Sequence, residues 1–135
     1  MVVRIILDTN FFMIPKDFKV DIISEFDKLF GLNAYELFTF QAVFNELDSL
    51  FLKLSGSEKQ LAKLGRTFLQ HLQKTKGLKT ISSNNELYLD DALTSFLTNH
   101  SDYYVATTDK QLQNKVKELG AKVICVRQGK YLMVK

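Results

Sequence analysis

Apolar residues recur along this chain in two rhythms, one continuous and one helical. Residues 2–7 (Val2-Val3-Arg4-Ile5-Ile6-Leu7) are almost uninterruptedly apolar, the pattern of a strand buried on both faces. Residues 19–30 carry Val20, Ile23, Phe26, Leu29 and Phe30 at helical spacing, with Gly31 as the stop. Glu36–Phe40 reads as a short strand. Residues 41–54 return to the helical rhythm, with Val43, Leu47, Leu50 and Leu54 on one stripe. Ser55-Gly56-Ser57 breaks it, and either serine suits the cap of the basic amphipathic helix that follows, 58–76. Lys79–Ile81 is a short strand, and Ser82–Glu86 is the most loop-like stretch.

The second half repeats the alternation. A helix runs from about Asp90 to Asn99, a strand over 103–107, and a helix over 109–119 with Gly120 as its C-terminal cap. A strand over 122–127 precedes the Gln128-Gly129 turn, and 130–134 is expected to pair as a terminal edge strand. Strands alternating with helices predict an α/β sandwich with a mainly parallel sheet. No repeat, low-complexity tract or linker divides residues 1–135, so one domain is expected.

Composition narrows the classes. The 135 residues suffice for one domain with a real core. The lone cysteine, Cys125, excludes a disulfide framework and a cysteine-rich zinc site, and its apolar neighbours predict a buried position. No apolar stretch approaches ~20 residues and no signal peptide opens the chain, so a cytosolic protein with no membrane partner is expected. His71 and His100 have no second histidine at ligand spacing and read as surface residues. The net charge of +3 conceals an alternation. Residues 1–52 hold 4 basic and 8 acidic side chains, 53–80 hold 7 and 1, 81–109 hold none and 5, and 110–135 hold 7 and 1. Acidic segments with basic ones between and after them suit a metal-dependent enzyme acting on a polyanion.

Four acids carry the candidate chemistry: Asp8, Glu46, Asp91 and Asp109. Asp8 and Asp109 follow apolar runs that read as strands, and ligands of parallel sheets bind beyond those strand ends. Converging carboxylates repel one another unless a cation neutralises them, which points to a divalent metal held by oxygen. Thr9 and Asn10 are placed to orient Asp8. Glu46 lies about 70° from the centre of its helix's apolar stripe at ~100° per residue, on the edge of the buried face, whereas Asp48 should be solvated. Asp90 and Asp91 open a helix, where one of them can serve as cap, and periodicity does not choose between them. Asp109 is also explained as a helix cap.

Taken together, Leu7-Asp8-Thr9-Asn10, Phe44-Asn45-Glu46-Leu47, Asp90-Asp91-Ala92-Leu93 and Val105-Ala106-Thr107-Thr108-Asp109 resemble a PIN domain over essentially the whole chain. The chain is similar to small archaeal PIN proteins related to the endonucleases that process pre-ribosomal RNA and to VapC toxins. The resemblance implies a three-layer α/β/α sandwich and a Mg²⁺- or Mn²⁺-dependent endoribonuclease. It carries Asp8, Glu46, Asp91 and Asp109 over as the acidic site, with Asp8, Asp91 and Asp109 on the metal. It favours Asp91 over Asp90, and leaves Asp90 and Thr107 as supporting groups. Lys59, Lys63, Arg66, Lys110, Lys115 and Lys117 are then expected to hold the RNA backbone. Expected partners are RNA, a second copy, and an antitoxin or a pre-ribosomal particle. One alternative is a non-catalytic RNA-binding assembly factor. A receiver-type signalling domain is disfavoured, because that fold wants adjacent acids where this chain has a lone Asp8.

Overall fold

The computed structural model describes residues 2–17, 21–82 and 88–135. Six strands and six helices alternate in the order β1 (Val3–Leu7), α1 (Thr9–Asp17), α2 (Ile22–Phe30), β2 (Tyr35–Phe40), α3 (Gln41–Lys53), α4 (Gly56–Thr75), β3 (Lys79–Ile81), α5 (Leu89–Asn99), β4 (Tyr104–Ala106), α6 (Lys110–Glu118), β5 (Lys122–Arg127) and β6 (Tyr131–Val134). The strands form one sheet in the order β3-β2-β1-β4-β5-β6. Every pairing is parallel except that of β6, which runs back along β5 from Arg127↔Tyr131 to Ile124↔Val134. Helices flank the sheet in an α/β/α sandwich. Among the described residues, no helix is long and apolar enough to cross a membrane.

The continuous apolar runs became the buried centre. Ile5, Ile6, Leu7, Leu37, Val105, Ala106, Val123 and Ile124 are all buried. Each large aliphatic among them contributes roughly 1.5–3 kcal/mol by leaving water. Cys125 is buried with them, and His71 and His100 are exposed, with His100 stacked on Phe96 at 4.1 Å. Register places Leu7 opposite Ala106, so the residues that follow β1 and β4 emerge side by side.

The helix over 9–17 is absent from the sequence reading. Phe11, Phe12 and Ile14 are all buried, so α1 presents apolar residues around its circumference and no amphipathic stripe. It lies against α4, where Gly65 permits the approach: a Cβ there would meet Met13 Cγ at 3.0 Å and the Phe12 carbonyl at 3.3 Å.

Other boundaries moved by a few residues. The helix expected over 19–30 starts at Ile22, because the Asp21 side chain accepts the Ser24 amide and caps it. Leu29 is exposed and Ile22 is buried in its stead. Val20 and the loop residues Ser83–Glu86 lie outside the described residues. The α4 helix begins at Gly56 with Ser55 in the cap position, without a side-chain cap bond. Tyr88, not Asp90 or Asp91, occupies the cap position of α5, and both acids sit in its first turn. Glu25 ties α2 to the sheet edge by accepting the Leu132 amide at 3.0 Å and Lys28 at 3.1 Å. Burial pushes this carboxyl's pKa up, but those two donors outweigh it and hold it below the usual range.

Candidate active site

Asp8 stands at the carboxyl edge of the sheet, one residue past β1, and is 5% exposed. Its amide donates to the Ala106 carbonyl at 3.1 Å, which extends the β1–β4 pairing and fixes where the side chain starts. Its Oδ1 accepts the Thr9 amide at 2.7 Å, and its Oδ2 accepts the Thr107 hydroxyl at 2.6 Å. Thr107 is fully buried just past β4. Burial raises the Asp8 pKa from 3.8 to about 6. The bonds from Thr107 and Thr9 pull it down, while the charges of Glu46 and Asp90 push it up further. A buried carboxylate under the charge of other acids weakens the fold, and a cation relieves that cost.

Glu46 reaches this point from α3. Its Oε2 accepts the hydroxyl of Thr9, which is itself buried as the first residue of α1. The expected helical geometry holds: Glu46 is half-buried, whereas Asp48 is exposed and paired with Arg66 at 2.6 Å. Leu50 turns toward the same side as Glu46. Asp8, Thr9, Asn10, Glu46, Ser49, Leu50 and Lys53 line a cleft of about 310 Å³. Sequence reasoning missed the part played by Thr9 as a donor to Glu46, and by Ser49 and Lys53 as cleft walls. Their signal was present, since positions 46, 49 and 53 recur at three and four residues on one helix face.

Asp109 caps α6. Its Oδ1 accepts the amides of Gln111 at 2.9 Å and Leu112 at 3.3 Å, and its own amide donates to the Thr107 hydroxyl at 3.1 Å. One hydroxyl therefore joins Asp109 to Asp8. Asp90 is exposed in the first turn of α5 and acts on Asp8 through its charge. Asp91, preferred by the resemblance, is exposed beside it, and the charges that act on Asp8 are those of Glu46 and Asp90. Among the described residues, no three acids gather tightly enough to cage an ion. Mg²⁺ does not require a cage, because it keeps several waters and binds through one or two carboxylates plus substrate phosphate. An all-oxygen donor set around a buried Asp8 fits Mg²⁺ or Mn²⁺ on that basis.

The expected RNA-holding cations fall in two places. Lys63 and Arg66 line the groove between α3 and α4 with Asp48 and Phe51, and Lys59 Nζ lies 4.6 Å from the Phe51 ring centre. At ~100° per residue, that side of α3 is opposite the one bearing Glu46 and Lys53. Lys110, Lys115 and Lys117 are exposed on α6, and Lys110 lines a separate cleft at the end of β5.

Residues 5–129 match the family described as PIN like domain. The chain is 29% identical over 134 residues to Ribonuclease VapC4 of Methanocaldococcus jannaschii, covering 97% of this chain and 95% of that one. Its fold is similar to that of the PIN domain endonuclease Utp24, with a TM-score of 0.74 and 20% identity over 98% of this chain and 90% of the other. A domain of a functionally unknown protein from Methanocaldococcus jannaschii matches with a TM-score of 0.64 and 14% identity, over 93% of this chain and 92% of that one.

Proposed function

The chain belongs to the PIN-like domain family, and from that premise we propose that it is a Mg²⁺- or Mn²⁺-dependent endoribonuclease that hydrolyses RNA phosphodiester bonds. The observation that carries this reading is the buried Asp8, held by two donors and lining a polar cleft with Glu46. Such an arrangement costs stability and has no use in a core. The likeness to Ribonuclease VapC4 supports RNA as the substrate.

Asp8, with Asp91 and Asp109, is assigned to the metal, and Asp90 and Thr107 support them. When bound, Mg²⁺ or Mn²⁺ supplies Lewis-acid stabilisation of a phosphoryl oxygen and a more acidic water. Thr9 and Thr107 fix the direction of the Asp8 carboxylate. Thr9 also engages Oε2 of Glu46, which leaves Oε1 to take the proton of the attacking water. Asn10 at the cleft wall orients that water. Lys53 at the same wall, with Lys59, Lys63, Lys110, Lys115, Lys117 and Arg66 further out, meets the RNA backbone through its phosphates. The setting is the cytoplasm. The partner is an antitoxin if the VapC likeness extends to role; a pre-ribosomal particle and a second copy of the chain are the alternatives.

The test is cleavage of a structured and an unstructured RNA with Mn²⁺, Mg²⁺ or EDTA, comparing wild type with Asp8→Asn. Metal-dependent cuts that vanish in Asp8→Asn are expected. A wild type that binds RNA in a salt-sensitive way but never cuts would replace the nuclease with a non-catalytic binding factor.

A further inference from the structure

A second cleft of about 230 Å³ opens at the carboxyl end of β5, lined by Thr108, Lys110, Gln113, Arg127, Gly129 and Lys135 among others. Three of its lining side chains are cations and none is acidic. The ion pairs formed among the described residues join Arg4–Asp102, Lys28–Glu25, Arg66–Asp48 and Lys79–Glu36, so none of them uses Lys110, Arg127 or Lys135. Cations that line one cleft with no acidic side chain among them suit an anion.

This cleft is wired to the acid site. Gln113 is 4% exposed, an amide that burial would penalise unless it were bonded. Its Nε2 donates to the Thr107 carbonyl at 2.8 Å, and its Oε1 accepts Lys135 Nζ at 3.1 Å. The same Thr107 donates its hydroxyl to Asp8. Two consecutive residues thus serve two clefts: Thr107 holds Asp8, and Thr108 lines the basic cleft. The strands β1, β4 and β5 are parallel neighbours, so Asp8 after β1 and the end of β5 that lines the basic cleft lie at the same end of the sheet, on strands two spacings or ~10 Å apart.

We propose that the basic cleft is a phosphate subsite that takes a backbone phosphodiester of single-stranded RNA beside the bond presented to Asp8. The proposal rests on the nuclease reading for its substrate, but its binding test does not need cleavage. In the groove between α3 and α4, Arg66 and Lys59 are less suited to this task, because Arg66 is already paired with Asp48 and the Lys59 ammonium lies over Phe51.

The experiment is fluorescence anisotropy of a labelled 12-residue oligouridylate in EDTA from about 50 to 200 mM salt. It compares wild type, the pair Lys110→Gln plus Arg127→Gln, and the control pair Lys74→Gln plus Lys76→Gln at the far end of α4. Two lost phosphate contacts are expected to weaken binding about ten-fold or more at 50 mM salt and to flatten the salt slope by ~1.4, at ~0.7 per contact on a single strand. The control pair should stay within about two-fold. Gln113→Leu, which unties Lys135, should lower affinity in the same direction. Equal losses in both pairs, an unchanged slope, or a wild type that binds no RNA would each overturn the subsite. A wild type that binds with this dependence but cuts nothing would sink the nuclease and leave the subsite standing.

Discussion

Replacing Asp8 with Asn should stabilise the metal-free protein at neutral pH. The folded-state pKa of Asp8, about 6, lies above its unfolded value of 3.8, so the native state holds the proton more tightly. Wild-type stability therefore falls as pH rises from 3.8 to about 6, and the full penalty is present above that. A shift of this size corresponds to about 3 kcal/mol. The Asn carbonyl can still accept the Thr9 amide, but its NH₂ meets a Thr107 hydroxyl that now donates to the carboxylate, and that mismatch costs about 1 kcal/mol. The net gain is roughly 2 kcal/mol. At ~2.1 cal/mol/K per residue over 135 residues, this raises Tm by about 7 °C. The assay is thermal unfolding by circular dichroism in EDTA at pH 7.5 and pH 4. At pH 4 the gain should vanish or reverse, because the wild-type carboxyl is then mostly protonated in the fold. Added Mg²⁺ should raise the wild-type Tm and leave Asp8→Asn unmoved. A mutant destabilised to the same degree at both pH values would refute the reasoning.

Thr107→Val removes a donor that lowers the Asp8 pKa and an acceptor for the Asp109 amide, so the acid limb of the cleavage pH profile should move to higher pH, with a stability loss of about 1–3 kcal/mol in urea titrations. Asp90→Asn should lower the Asp8 pKa and shift that limb the other way, whereas Asp91→Asn, as a ligand, should cut the rate without moving it; parallel pH–rate profiles separate the two. Gly65→Ala drives a methyl against Met13 and the Phe12 carbonyl, and the helix-propensity gain of ~1 kcal/mol should be outweighed by crowding of about 1–3 kcal/mol, read as a lower Tm. Glu25→Ala unties α2 from β6 and should cost about 1–3 kcal/mol, with faster amide exchange at Leu132.

Hydrophobic rhythm alone determined the order of strands and most helices, because a buried strand needs continuous apolar residues and a surface helix needs a stripe. It also placed Glu46 on a helix flank and Asp48 in solvent. It was silent on α1, whose buried residues leave no stripe to detect. Tertiary structure decided what Asp8 faces. Parallel pairing of β1 with β4 sets Thr107, 99 residues away in the chain, against its carboxylate. Packing of α3 beside α1 brings Thr9 to Glu46 and builds the cleft. Asp8 and Asp109 could be named from their positions after apolar runs, but the raised pKa of Asp8 could not, since it depends on burial and on neighbours that no local pattern encodes. The same holds for the cations: Arg66 and Lys110 look alike in sequence, and only the fold pairs one with Asp48 and leaves the other beside Arg127 and Lys135 in an open cleft.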